Sequence, residues 1–99
     1  MNMLWIFCSE GFTEDVEAMI GRSGVSFYSV WRDVLARDKK GDKTRWDDPV
    51  FPGKNWAFQL LCDEEQLRSL REIFGAFAAG EDAAQAGLTI ILQEGRKIL

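Results

Sequence analysis

The chain has 99 residues, enough for one domain spanning 1–99 and too few for two, with a core that is marginal on its own. Its net charge of −4, with both signs interspersed, excludes a general nucleic-acid surface, which needs a basic stripe. It contains no His, which excludes His-dependent Ser or Cys triads and removes the commonest metal ligand.

The first element is the apolar run Met3 to Cys8, which reads as a strand buried on both faces and is broken by Ser9-Glu10-Gly11. Thr13 is placed to cap a short helix. Glu14, Asp15 and Glu17 suit the positive end of its dipole, and Val16, Met19 and Ile20 supply its apolar stripe. Gly21 and Gly24 offer its exit. Val25 to Leu35, rich in β-branched and aromatic residues, predicts a long strand with apolar groups on both faces.

Residues 36–54 are polar and charged, with Gly41, Pro49, Pro52 and Gly53. A loop of that length inside a small domain is uncommon and is usually functional or disordered. Its aromatic island, Trp46 to Gly53, exceeds what a solvating loop requires. Asn55 to Cys62 then alternates as a strand, with Trp56, Phe58, Leu60 and Cys62 on one face. Asp63 with Gln66 three residues on predicts a capping box. The helix it starts carries the clearest stripe in the chain: Leu67, Leu70, Ile73, Phe74 and Phe77. Gly80 ends it. A small-residue turn from Glu81 to Gly87 leads to a last strand, Leu88 to Leu92, and a tail ending in Arg96, Lys97, Ile98 and Leu99.

The element order is βαββαβ. It predicts an α+β, ferredoxin-like sandwich: a four-stranded antiparallel sheet with two helices on one face and the first and third strands central. Two helices cover one face, whereas several strands are apolar on both. An exposed apolar patch of that size demands cover, which predicts a homo-oligomer. The alternative cover is the long loop folded back over its own sheet. Cys8 and Cys62 sit in apolar strands and are expected to be reduced and buried, consistent with a cytoplasmic location. The run Met3 to Cys8 is too short to span a membrane.

In element order and loop placement the chain resembles the PII-type signal-transduction proteins, trimers of ferredoxin-like subunits with a long loop between the second and third strands. The features that carry the resemblance are residues 36–54, Ser23-Gly24-Val25, the acidic start Asp63-Glu64-Glu65-Gln66, and the turn Pro52-Gly53-Lys54-Asn55. The resemblance implies a regulator rather than an enzyme, a trimer that binds a small effector between subunits. It also implies a loop that contacts a partner protein, such as a membrane transporter. Two departures stand out. The turn before the last strand, Ala79 to Gly87, carries Glu81 and Asp82 and no Lys or Arg, where nucleotide-binding members have basic groups. The loop also lacks the Tyr that some members carry as a uridylylation site. The CutA-type divalent-cation tolerance proteins share the architecture and supply the alternative reading. A small ferredoxin-like enzyme such as a monooxygenase is a third.

No catalytic constellation is present and no cofactor is identified. Arg32, Lys54, Arg96 and Lys97 are the candidates for holding an anionic effector. Arg45, Trp46 and Phe51 are the candidates for partner contact, because aromatic anchors carry interface energy. Asp42, Asp47 and Asp48 are the weak candidates for a hard cation, against the plain reading of a solvated acidic loop.

Overall fold

The computed structural model describes residues 1–99. Four strands form one antiparallel sheet: β1 (Asn2–Ser9), β2 (Tyr28–Val34), β3 (Asn55–Cys62) and β4 (Thr89–Glu94), in the order β2-β3-β1-β4. The helices are α1 (Thr13–Arg22), α2 (Glu64–Ala78) and the short α3 (Ala83–Ala86). This is the expected α+β, ferredoxin-like βαββαβ arrangement, with β1 and β3 at the centre.

The period-2 alternation of the central strands builds the core. Leu4, Ile6 and Cys8 of β1 and Phe58, Leu60 and Cys62 of β3 all point to the helix side and are buried. Val16, Met19 and Ile20 of α1 and Leu67, Leu70 and Phe74 of α2 close over them. Asp63 accepts from the Gln66 N–H while the Gln66 side chain accepts from the Asp63 N–H, so the predicted capping box of α2 is formed.

Three local expectations are corrected. Thr13 is not a cap: a 3₁₀ turn, Glu10–Phe12, precedes α1, and the buried Thr13 hydroxyl donates to the Glu10 carbonyl. The second strand starts at Tyr28 and not at Val25. Gly24 leaves α1 at φ 88° and the Val25 N–H donates to Ser23 Oγ, so Val25 enters the core from a turn. The last strand runs two residues further than expected, to Glu94.

β2 also contains a bulge. Trp31 pairs with Ala57 but Val34 pairs with Asn55, so one extra residue is inserted, and Asp33 takes φ 60° there. The period-2 pairing of β2 therefore breaks between Trp31 and Val34.

The face of the sheet away from the helices is open. Trp5, Phe7, Trp31, Leu61 and Ile91 lie on it, with Trp5 packed 5.4 Å from Trp31 and 6.4 Å from Phe7 between ring centroids. Trp31 remains 48% exposed and Ile91 50%. The long loop does not fold over these residues.

Candidate functional site

Residues 36–54 form an ordered excursion rather than a structureless one. Ala36 and Arg45 bridge as antiparallel partners through two backbone hydrogen bonds. At the tip, the Asp38 carboxylate accepts from the Lys43 N–H and the Thr44 hydroxyl, and the Asp38 N–H donates to Thr44 Oγ1. These bonds leave Thr44 buried inside a polar loop. A side-chain hydrogen bond with Asp42, then those with Thr44, Lys43 and Gly41, hold the Asp38 carboxyl below its ordinary value against the opposing effect of desolvation. Farther along, Asp48 Oδ1 accepts from the N–H groups of Val50 and Phe51 and closes a second turn.

The aromatic island works inside the loop. The Arg37 guanidinium stacks over the Trp46 ring at 4.1 Å. Phe51 lies against Gly41, whose φ of 85° only glycine adopts readily; a Cβ there would meet the ring at 3.3 Å. Val50, at 75% exposure, is the most exposed of the loop's large apolar side chains, ahead of Trp46. Nothing in its sequence context distinguished it.

At the base of the loop, Lys54 Nζ lies 3.7 Å from Asp33 Oδ1 and 3.6 Å from Asp47 Oδ2. Asp33 and Asp47 are the two non-glycine residues with positive φ, at 60° and 56°. Both left-handed carboxylates thus converge on one ammonium, and their charges raise the Lys54 pKa above its ordinary value. Arg32, on the bulge, reaches over the Trp56 ring at 5.7 Å. Arg45 donates from its guanidinium to the carbonyls of Thr44 (3.2 Å) and Gln85 (3.4 Å). It thereby ties the loop to α3 and brings a cation to the turn that lacks its own. Sequence spacing could not show this, because Arg45 and Gln85 are 40 residues apart.

The four residues expected to hold an anion separate into two pairs. Arg32 and Lys54 lie where Ser9 pairs with Asn55; Arg96 and Lys97 follow β4 at the opposite end, where Asn2 pairs with Glu94. The eight residues of β1 between these ends span roughly 25 Å at ~3.3 Å per residue. Within one chain, then, they are not one site. The three carboxylates weighed for a cation do not converge either: Asp47 faces Lys54, Asp48 closes its own turn and Asp42 lies by Asp38.

Cys8 and Cys62 are buried and free, and opposite β1–β3 pairings put them at the two ends of the sheet. Burial pushes the Cys8 thiol up to about 11, with Asp15 and Glu17 adding to it; Cys62 is raised by burial, then by Asp63 and Glu64.

No family model and no curated protein matches the chain. Solved structures do. CPII, a nitrogen regulatory PII-like protein from Thiomonas intermedia K12, bound to ADP, AMP and bicarbonate, superposes with a TM-score of 0.73 at 15% identity, over 93% of this chain and 82% of that one. Its apo form gives 0.68 at 14% identity, over 93% and 85%. A chain described as a PII-like signaling protein from Thermus thermophilus gives 0.60 at 13% identity, over 93% and 83%. The protein has the fold of the PII-like proteins, at sequence identities that mark a distant likeness. No helix is long and apolar enough to cross a membrane.

Proposed function

We propose that this protein is a PII-like regulator and not an enzyme. It is a cytoplasmic homo-oligomer, in the first instance a trimer, whose open aromatic face packs against other copies. It binds a small anionic effector at the loop end of the sheet, where Arg32, Arg45 and Lys54 gather, and its loop then engages a partner protein such as a transporter. Arg96 and Lys97 join such a site only from a neighbouring subunit.

The observation that carries the reading is the way the loop is held. Its position rests on Arg45 reaching the Gln85 carbonyl and on Lys54 held between Asp33 and Asp47. All are exposed or half-buried contacts, individually weak, for which an arriving anion competes directly. CPII supplies the ligand classes to try, adenine nucleotide and bicarbonate.

Hydrogen exchange and limited proteolysis across residues 36–54, with and without ADP, AMP and bicarbonate, test this. The expected result is a change in loop protection with at least one of them, weakened by Lys54→Ala and Arg45→Gln. Identical protection under all conditions, with no heat of binding by calorimetry, would overturn it.

A further inference from the structure

The loop carries positive charge out of proportion to the rest of the chain. Between residues 37 and 45 lie five of the chain's 12 Lys and Arg but only two of its 16 Asp and Glu. The tip is therefore cationic on a protein whose net charge is −4, and the remainder of the chain is correspondingly more acidic.

The fold sorts these charges further. Both acids are engaged with the loop itself: Asp38 accepts from the Lys43 N–H and the Thr44 hydroxyl, and Asp42 is hydrogen-bonded to Asp38. Arg45 donates to the carbonyls of Thr44 and Gln85, and Arg37 covers the Trp46 ring. Lys39, Lys40 and Lys43 remain exposed, and none of them is in an ion pair, since both ion pairs of the chain are made by Lys54. Arg37, Lys39 and Lys40 line a concavity of about 360 Å³ together with Gly41, Thr44 and Phe51. The Ala36–Arg45 bridge, the Asp38 hydrogen bonds and the contact of Phe51 with Gly41 hold the backbone around it, so docking there orders little additional chain.

We propose that the tip is the docking site for an acidic segment of the partner protein, a short extended run of Asp and Glu. One carboxylate enters the concavity between Arg37, Lys39 and Lys40, and its neighbours in the run come within reach of Lys43. The proposal rests on the loop being the partner-contacting element and adds the chemistry of what it contacts. Lysine suits that contact, because a compact charge on a flexible stem meets carboxylates without a fixed mutual geometry. A short segment meets the tip alone. An extended anionic surface, a membrane or a nucleic-acid duplex, also meets Asp47, Asp48 and the acidic remainder of the chain. Seating in a membrane further calls for free aromatic anchors, whereas Trp46 lies under Arg37 and Phe51 packs on Gly41.

Fluorescence anisotropy with a labelled glutamate hexapeptide tests this in the absence of nucleotide and bicarbonate. The unaltered chain should bind it saturably at low salt and more weakly as salt rises. Lys39→Glu with Lys40→Glu should weaken binding by about tenfold or more. Arg68→Glu with Arg71→Glu makes the same change in net charge at exposed positions of α2 and should alter it by no more than about twofold, because charges beyond a Debye length are screened. No binding at low salt, equal losses in the two variant pairs, or tighter binding of phosphatidylserine vesicles or duplex DNA than of the peptide would each overturn the proposal. A loop that takes the peptide but ignores ADP, AMP and bicarbonate removes the effector reading alone; one that answers those ligands and takes no peptide removes the acidic partner alone.

Discussion

On the helix side of the sheet, Leu4, Ile6, Phe58 and Leu60 are sealed beneath α1 and α2. On the other side Trp5 packs against Phe7 and Trp31, Ile91 pairs beside Trp5, and Trp31 and Ile91 still face solvent. Both sets come from the same strands, one residue out of phase. The first set makes the domain fold, since burying those side chains offsets most of the chain entropy lost on folding. The second set contributes little to a lone subunit and gains its free energy only when another surface excludes water from it.

That contrast gives a ranked set of substitutions. Phe58→Ala removes a fully buried ring at the centre of the helix-side face and should cost about 3–5 kcal/mol in denaturant unfolding, a large fraction of the stability of a domain of this size. Removing the α2 cap with Asp63→Ala leaves both faces intact and should cost about 1 kcal/mol by the same measurement. Trp31→Ala belongs to the open face. It should shift the stability of the isolated subunit by about 0.5 kcal/mol, in the range of surface substitutions, while raising the concentration needed for self-association, read by sedimentation. A Trp31→Ala loss as large as that of Phe58→Ala would show that the two faces are not distinct in the way described.

The thiols sharpen the same comparison without altering the fold. Both lie on the sealed side, so a thiol reagent at pH 8 should label neither in the native protein and both after denaturation. Because the folded Cys8 pKa lies above the unfolded value of 9.0, folding favours its protonated form. The associated stability is fully present below pH 9 and declines as pH rises from there towards about 11. Alkaline unfolding that starts well below pH 9 would place its cause elsewhere.

The two ends of the sheet repeat the lesson on a smaller scale. At the loop end, Lys54 lies between the carboxylates of Asp33 and Asp47, the two left-handed non-glycine residues. At the tail end, Arg96 and Lys97 have no partner within the chain. The sequence groups Arg32, Lys54, Arg96 and Lys97 together because it presents all cations alike.

What the chain determined by itself was whatever depends on period and local chemistry. The alternation of Trp56, Phe58, Leu60 and Cys62, the stripe from Leu67 to Phe77 and the box at Asp63–Gln66 each specify an element from neighbouring residues alone. The element order then leaves few topologies open. Tertiary structure decided the bulge at Asp33, which undoes the alternation of β2, and the union of Arg45 with Gln85. It decided the split of the four cations between two ends of the sheet. Each of these depends on register and on contacts between residues far apart in sequence, set by how strands pair and not by any local preference. The expectation that two helices leave one apolar face to be covered stands because it needed only a count of faces.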